Sequence, residues 1–354
     1  MNDKSLVKLG DVAHECRQTW NGDQNNVPIV GLEHLIPGEI ELYSWDSNIE
    51  HTFSKKFVKG QVLLGRRRVY LKKAAVAPCD GICSGDITVI ESTGGILPEL
   101  LPFVIQNDRF FDYAMQGSAG SLSPRVKWEH LKNYEFPLPP LTEQKVLADK
   151  LWAAYRLKES YKKLLAATKE MVKSQFIEMF GDPIKNTMKL LSRKGEELFV
   201  FSSGKANTKS NLSNDFPYNC YGGNGITGHS NQWLIDYPTI VIGRVGEYCG
   251  CVHKTQGKVW ITDNAIYIKE HKKNVFDDAF LFYLMTYLDF HRLADETGQP
   301  KITQRPLLDM EYIIPSKDLQ QKFISIAEQA DKSAFELRKS IDAIDAVIKS
   351  LINN

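Results

Sequence analysis

The sequence predicts an α+β protein in which two similar globular α/β domains are separated by an antiparallel coiled coil of two long helices. Three observations predict this fold class. Sequence segments recur about 176 positions apart, a proline-containing junction closes each copy, and a helical heptad pattern follows each junction. The repeat gives the predicted fold a pseudo-twofold internal symmetry.

The repeat is clearest at the two junctions. Residues 131–140 read LKNYEFPLPP, and residues 307–316, at the 176-residue offset, read LLDMEYIIPS. The prolines end a predicted strand, and Thr142 is a favourable N-cap for the long helix after the junction. This helix extends to Phe180 and stops at the sequence Gly-Asp-Pro of residues 181–183.

The second helix carries apolar residues at alternating spacings of four and three, which is the heptad pattern of a coiled-coil seam. These positions are Phe323, Ala327, Ala330, Ala334, Leu337, Ile341, Ile344, Ile348 and Leu351. The same offset gives Leu147, Leu151, Ala154, Lys158, Tyr161, Leu165, Thr168, Val172 and Gln175 in the first helix. Antiparallel pairing is the simplest arrangement, since a globular domain lies between the helices. The alternative is that each helix packs only on its own domain.

The domain boundaries follow from the junctions. We expect the first globular domain at 1–140, the first long helix at 141–181, the second globular domain at 182–316 and the second long helix at 317–354. Within the first domain, short apolar runs at 28–32, 62–65 and 87–90 predict strands, and Glu99 to Met115 predicts one helix.

Further anchors of the repeat lie inside the globular domains. Residues 61–66 correspond to 239–244 at an offset of 178, and residues 84–90 correspond to 262–268 at the same offset. Pro124-Arg125-Val126 corresponds to Pro300-Lys301-Ile302. The segments between these anchors differ almost completely, so the two domains share a framework and differ in their loops.

The composition is that of a cytoplasmic globular protein, with 43% apolar residues and no apolar run long enough to span a membrane. The first six residues lack the apolar core of a signal peptide. The six cysteines are irregularly spaced, which does not indicate a disulfide framework. Cys79-x3-Cys83 and Cys249-x-Cys251-x-His253 fall outside the usual zinc spacings, so no metal site is predicted.

The net charge of +1 does not indicate a nucleic-acid partner, but the charge distribution is uneven. No acidic residue lies between Glu50 and Asp80, a stretch that contains eight lysines and arginines. Such a local basic face suits a phosphate backbone. The alternative interpretation is a solvated surface of strands and loops.

No catalytic motif is present in the sequence. A phosphate-binding GxxxxGK[ST] loop, a GxSxG nucleophile elbow, an HExxH pair and an amino-group methylation motif are all absent. The glycine-rich segment 222–228 lacks the Lys-Ser/Thr of a phosphate loop and is predicted to be a recognition loop instead. We therefore predict no catalytic residues.

Two similar domains with different loops, joined by a rigid rod, suit a target with one site per domain at a fixed spacing, as DNA provides. Arg66 and Arg244 come directly after a glycine at equivalent positions, which suggests a common role in reading guanine or fixing phosphate. The alternative is an arginine that caps a strand through a salt bridge. The predicted DNA contacts are Arg66, Arg67, Arg68, Tyr70, Lys72, Lys73 and Arg125 in the first domain, and Lys205, Tyr221, Asn224, Arg244 and Lys301 in the second.

These motifs resemble those of the specificity subunits of type I restriction–modification systems. The resemblance covers the whole chain and rests on segments 137–144 and 313–320 at the junctions, 60–67 with 80–84 in the first domain, and 242–246 with 261–264 in the second. The chain departs from the pattern at Gln61, where an acidic residue is usual, and at Ser316-Lys317, which replaces Pro-Leu.

The resemblance implies two target-recognition domains, each reading one half of a bipartite, asymmetric double-stranded DNA sequence. It implies that the helices dock two methyltransferase subunits, and that restriction subunits, which translocate DNA, join this core. Adenosyl methionine, ATP and Mg²⁺ would then bind the partner subunits, and this chain would hold no cofactor. Two other classes stay open: an autonomous DNA-modifying enzyme, and a coiled-coil protein-binding scaffold without DNA readout.

Overall fold

The computed structural model describes residues 5–118, 124–295 and 298–353. The first four residues, on which the signal-peptide prediction partly rests, lie outside these ranges. The chain forms two compact units, which we call unit 1 (residues 1–162 and 338–354) and unit 2 (residues 163–337). In the part of the chain that the structure describes, no helix combines the length and the hydrophobicity needed to cross a lipid bilayer.

Unit 1 contains nine described strands, four short helices and parts of both long helices. The strands are β1 (Ser5–Lys8), β2 (Ala13–Cys16), β3 (Ile29–Val30), β4 (Lys55–Phe57), β5 (Val62–Gly65), β6 (Ala74–Val76), β7 (Gly81–Cys83), β8 (Ile87–Ser92) and β9 (Glu135–Leu138). The helices are α1 (Leu9–Val12), α2 (Leu101–Ile105), α3 (Asp108–Gln116), α4 (Trp128–Leu131) and the long α5 (Leu141–Phe180).

Unit 2 repeats this series of elements. Its described strands are β10 (Ser192–Lys194), β11 (Phe199–Ser203), β12 (Tyr218–Gly222), β13 (Gly225–Ser230), β14 (Ile240–Gly243), β15 (Val252–Lys254), β16 (Val259–Ile261), β17 (Ala265–His271) and β18 (Glu311–Ile313). Its helices are α6 (Gly195–Leu198), α7 (Asp278–Tyr287), α8 (Gln304–Asp309) and the long α9 (Lys317–Asn353).

The two units have the same strand order in their four-stranded sheets. Unit 1 contains a four-stranded sheet of order β2-β8-β5-β6, and unit 2 contains β11-β17-β14-β15. Neighbouring strands in both sheets are antiparallel. In each unit a two-stranded ribbon also pairs the first strand with the strand at the junction. The three-stranded sheets differ, because β7 is central in unit 1 (β3-β7-β4) and β12 is central in unit 2 (β13-β12-β16). The predicted internal repeat is therefore confirmed by the four-stranded sheets and the ribbons.

The heptad positions predicted from the sequence are all buried or half-buried on both α5 and α9. In unit 1 the Lys158 ammonium lies 2.6 Å from the Asp345 carboxylate. In unit 2 the Phe176 ring packs edge-on against Phe323, with ring centroids 5.3 Å apart. A position further along α5 thus contacts an earlier position on α9: Lys158 contacts Asp345, and Phe176 contacts Phe323. The predicted antiparallel pairing is therefore confirmed.

The two long helices also pack against the globular cores. The alternative, in which each helix packs only on its own domain, therefore describes part of the packing. Leu151 and Tyr155 of α5 belong to the main apolar core of unit 1, and Ile348 near the end of α9 packs against it. Phe180 of α5 and Phe323 of α9 belong to the main core of unit 2. Each long helix thus contributes to both cores.

A buried glutamine fixes the start of each long helix. The Gln144 side chain accepts a hydrogen bond from the Leu97 backbone N–H (2.8 Å) and donates to the carbonyls of Gly95 and Pro139. Gln320 makes the same three kinds of bond: it accepts from Asp277 N–H (2.9 Å) and donates to two carbonyls, those of Val275 and Pro315. Both side chains are almost fully buried. This repeated clamp explains why glutamine stands at both positions.

Two predictions of local structure were wrong. Glu99 to Met115 is not one helix, because the Asn107 side chain accepts a hydrogen bond from Arg109 N–H and starts α3 as a separate helix. Thr142 is not the N-cap, because α5 begins at Leu141 and Pro140 accepts the first helical hydrogen bonds. Residues 222–228 belong to the hairpin of β12 and β13, and their role in recognition stays a prediction.

Candidate nucleic-acid interface

Arg66 comes directly after the last residue of β5, and its backbone is held on both sides. Its N–H donates to the carbonyl of Asp86 at 2.9 Å, and its carbonyl accepts from the N–H of Val126 at 2.9 Å. The neighbouring N–H of Arg68 donates to the carbonyl of Pro124 at 3.0 Å. Three segments that are far apart in sequence therefore converge on this Gly-Arg step.

Arg244 is held in the same way after β14. Its N–H donates to the carbonyl of Asn264 at 2.9 Å, and its carbonyl accepts from the N–H of Ile302 at 2.8 Å. The N–H of Gly246 donates to the carbonyl of Pro300 at 2.9 Å. These partners are the repeat equivalents of those in unit 1, so the sequence anchors converge on one framework in each unit.

The guanidinium groups of Arg66 and Arg244 share an uncommon feature. The Nε of each is buried and has no hydrogen-bond partner within the described ranges. Leaving a buried donor unpaired costs about 1–3 kcal/mol, and more when the group is charged. Retaining this cost at equivalent positions in two otherwise different units is typical of a functional site. The alternative, an arginine that caps its strand by a salt bridge, does not account for the unpaired Nε atoms.

Around this framework, the two units differ in charge. The Asp86 carboxylate accepts two hydrogen bonds from Arg125, at 2.7 and 3.3 Å, and lies 3.5 Å from Arg67. These hydrogen bonds and charges hold the pKa of Asp86 below its ordinary value. The equivalent residue in unit 2, Asn264, is neutral. No carboxylate among the described residues lies within 4.0 Å of the Lys301 ammonium.

The other predicted residues of unit 1 fall into two groups. Arg68 and Tyr70 are exposed beside the framework, and both could reach a ligand. Lys72 pairs with Asp108 at 2.7 Å, and Asp108 also pairs with Lys349 of α9 at 3.0 Å. Lys73 donates to the carbonyl of Leu32 at 2.6 Å. The two lysines thus have internal partners that the basic pattern of the sequence does not reveal.

The predicted residues of unit 2 include both exposed and buried side chains. Lys205 is exposed, and Asn224 lies at the tip of the β12–β13 hairpin, where it is also exposed. Tyr221 is a core residue instead: its side chain is 7% exposed, and its hydroxyl donates to the carbonyl of Lys254 at 3.4 Å. Burial raises the pKa of this phenol. Tyr221 thus packs in an apolar cluster with Ile235 and Val241, and its role as a DNA contact stays a prediction.

Unit 1 contains a polar cleft that sequence reasoning missed. It has a volume of about 560 Å³ and is lined by Arg66 together with three further cations, Arg17, Lys55 and Lys127. Glu15 lies on the same wall, 2.8 Å from Arg17 and 3.8 Å from Lys55. Lys127 could have been noticed, because it comes directly after the repeated Pro-Arg-Val anchor. Lys55 belongs to the basic stretch that the sequence shows between Glu50 and Asp80, whereas Arg17 joins the cleft only through tertiary contacts and gave no sequence signal.

In unit 2 a cysteine contributes to the framework. The Cys249 thiol donates to the carbonyl of Arg244 at 3.2 Å, and burial raises the pKa of this thiol. All six cysteines of the chain are free. Cys249 therefore has a structural contact beside Arg244.

The fold and this repeated framework define a class of protein: paired, internally duplicated domains that each present an arginine from an equivalent strand end. Residues 192–344 match the family model of the type I restriction modification DNA specificity domain. The chain is 24% identical over 186 residues to the specificity subunit of the type I restriction enzyme EcoprrI of Escherichia coli. It is 29% identical over 119 residues to the EcoDI specificity subunit of the same organism.

The matched regions are 51% and 31% of this chain, and they span 44% and 26% of those two relatives. The chain therefore spans less than half the length of the curated relatives that it matches. Among solved structures, the S subunit of a type I restriction–modification system from M. genitalium has a TM-score of 0.60 at 13% identity, over 99% of this chain and 96% of that one. A structure described as showing complex assembly and conformational transition of the type I R-M system has a TM-score of 0.55 at 16% identity, with coverage of 98% and 96%.

The resemblance inferred from the repeated motifs is thus confirmed. Residues 192–344 match the family model of the type I restriction modification DNA specificity domain, and the chain shares its fold with the solved S subunit from M. genitalium.

Proposed function

We propose that this chain is the DNA sequence-specificity subunit of a type I restriction–modification complex. Each unit reads one half of a bipartite, asymmetric double-stranded DNA target. The observation that carries the proposal is the repeated framework around Arg66 and Arg244. It holds two guanidinium groups at equivalent backbone positions with an unpaired Nε on each. Arginine is the side chain most often used to read guanine in the major groove.

The differences between the units support the reading of two different half-sites. The framework of unit 1 is surrounded by Asp86, Arg125 and Arg67, whereas that of unit 2 has Asn264 and Lys301. Lys205 and Asn224 stand on segments of unit 2 that the repeat does not share with unit 1. A common framework with different surrounding side chains is what an asymmetric target requires.

The partners belong to the same proposal. Two methyltransferase subunits bind along the long helices, and restriction subunits join this core. In unit 2, α5 exposes Leu164 and Met171 seven residues apart on one face, with 52% and 44% of each residue accessible. Exposed apolar residues at heptad spacing suit a helical partner. Adenosyl methionine, ATP and Mg²⁺ bind the partner subunits, and this chain supplies no catalytic group.

Reconstitution tests the proposal. The chain is co-expressed with the methyltransferase subunits of its host, and the purified complex is tested for binding and methylation of host DNA. We expect sequence-specific binding and methylation by the complex, and no methyl transfer by the purified chain alone. A complex that assembles but binds DNA without sequence preference would favour the scaffold alternative, and methyl transfer by the chain alone would favour the autonomous enzyme.

A further inference from the structure

Three chemically suited ligand side chains meet on one face of the four-stranded sheet of unit 1. His14 and Cys16 are two residues apart on β2, so both point to the same face. Glu91 of β8 pairs directly with His14 across the strands. The ligand atoms of these three residues all lie within 4.8 Å of one another. The family match covers residues 192–344 and does not include this cluster, and Arg66 with its partner Asp86 lies at the other end of β5 and β8.

The distances fit one metal ion at the centre of the cluster. The His14 Nε2 atom lies 3.7 Å from the Cys16 Sγ, and the Sγ lies 3.3 Å from Glu91 Oε2. A tetrahedral zinc ion with bonds of about 2.1 Å to nitrogen and about 2.3 Å to sulfur would place those two atoms about 3.6 Å apart. The side chains already stand at nearly this spacing, so binding would need little rearrangement.

The surroundings supply the outer contacts that metal sites use. The Gln61 carboxamide donates to the Cys16 Sγ at 3.2 Å and to Glu91 Oε2 at 3.0 Å. Such second-layer donors orient ligands and stabilise a thiolate. Cys16 itself is buried against an apolar cluster that includes Val89. His14 and Glu91 are exposed, so a fourth coordination position would open to solvent.

The shared fold does not require this cluster. Glu91 corresponds to Lys269 in unit 2, at the offset of 178, and Gln61 corresponds to Thr239. The sheet of unit 2 has the same strand order without these residues. The combination of histidine, thiol and carboxylate is therefore a particular property of unit 1.

We propose that His14, Cys16 and Glu91 bind a zinc-class divalent cation through three protein ligands, with Gln61 as the supporting outer contact. Imidazole, thiolate and carboxylate together suit Zn²⁺ better than Mg²⁺ or Ca²⁺, which prefer oxygen ligands. The ion would tie β2 to β8 and stabilise unit 1. This proposal departs from the expectation, drawn from cysteine spacing, that the chain holds no metal site; the ligands come from two strands, and Cys16 and Glu91 are 75 residues apart.

Cobalt substitution tests the site directly. The full-length chain, stripped of metal with a chelator, is titrated with Co²⁺, and the thiolate-to-cobalt charge-transfer band is recorded. We expect one equivalent to give the band, and added Zn²⁺ to abolish it. Cys16→Ser should lose the band, whereas Cys79→Ser, a change of a partly exposed cysteine elsewhere in unit 1, should keep it. Circular dichroism before metal addition establishes that each variant is folded.

The remaining variants separate ligands from the outer contact. His14→Ala and Glu91→Gln should weaken Co²⁺ binding more than Gln61→Ala, which should weaken it by about 10–100-fold while keeping the band. Zn²⁺ should raise the thermal midpoint of the wild type and leave that of Cys16→Ser unchanged. Binding without a thiolate band would place the ion elsewhere, for example at Glu33, His34 and Asp46, and would overturn the proposal. The absence of any stoichiometric binding by the folded chain would overturn it as well.

Discussion

At the scale of single residues, the proposed DNA recognition depends on Arg66 and Arg244. The backbone of each arginine is fixed by hydrogen bonds, while its guanidinium Nε has no partner among the described residues. Arg66→Ala should reduce the free energy of DNA binding by about 1–3 kcal/mol and relax one position of the target. Arg66→Lys is the matched control: it keeps the positive charge but loses bidentate geometry, so affinity should fall less than specificity. Binding of the reconstituted complex to targets substituted one base pair at a time measures both effects.

A negative result would be equally informative. If alanine at both Arg66 and Arg67 leaves affinity and specificity unchanged, the basic stretch of unit 1 is a solvated surface. The unpaired Nε would then need another explanation.

Asp86 is the residue that most clearly distinguishes the two frameworks. Asp86→Asn gives unit 1 the residue that unit 2 has at position 264, and it removes the carboxylate that binds Arg125. We expect tighter nonspecific DNA binding and a steeper salt dependence, by about 0.9 in log–log slope for each phosphate gained. Asn264→Asp should have the opposite effect in unit 2. Binding isotherms at several salt concentrations test both variants, and unchanged slopes would exclude Arg125 as a phosphate contact.

Asp86 also predicts a pH dependence of folding stability. The Arg125 hydrogen bonds hold its pKa below the ordinary value of 3.8. The ion pair therefore contributes stability that is fully present above pH 3.8 and is lost as the pH falls through the lowered pKa. Urea unfolding should show a difference between the wild type and Asp86→Asn near neutral pH that shrinks in acid. A difference that is constant with pH would contradict this linkage.

At the scale of elements, the glutamine clamps Gln144 and Gln320 are the most testable feature. Gln144→Leu keeps the volume apolar but leaves Leu97 N–H and two carbonyls without their partner. We expect a loss of about 1–3 kcal/mol in the free energy of unfolding, measured by urea denaturation, and the same for Gln320→Leu. Lys322→Leu, at an exposed position two residues later, should cost no more than about 0.5 kcal/mol. Equal effects at Gln320 and Lys322 would argue against the clamp.

Some elements could be predicted from the sequence and others could not. The heptad of α9 was readable because one side of this helix is apolar over many turns. The repeat then gave the equivalent positions of α5, although Lys158, Thr168 and Gln175 interrupt the apolar pattern there. The anchor residues around Arg66 were readable because the repeat supplied two copies to compare. Asn107 was missed since a single capping side chain breaks an otherwise continuous apolar pattern.

The site was only partly predictable for a related reason. Charge along the sequence indicates a cation but not its partner, so Lys72 and Asp108, 36 residues apart, could not be paired in advance. The cleft cations Arg17 and Lys55 lie on segments that only the fold brings to Arg66. The same holds for His14, Cys16 and Glu91, which strand pairing brings together.

At the scale of the whole molecule, the sequence-based hypothesis is that α5 and α9 set the spacing between the two half-sites. Inserting four residues near Ala166 adds about 6 Å of helix and rotates the C-terminal remainder of α5 by roughly 40°. A matched insertion near Phe335 of α9 preserves the pairing of the seam, and four residues are a stutter that a heptad can absorb. The doubly inserted chain should stay helical by circular dichroism and either read a longer spacer or lose function. Methylation of the original target at unchanged spacing would refute the hypothesis.

The central claim is that each unit reads its own half of one bipartite target. The most direct measurement is methylome sequencing of host DNA modified by complexes that contain wild-type chain, Arg66→Ala or Arg244→Ala. The account predicts a bipartite motif for the wild type, a relaxed position in one half-site for Arg66→Ala, and a relaxed position in the other half-site for Arg244→Ala. Relaxation of the same half-site by both variants, or an undivided wild-type motif, would contradict it.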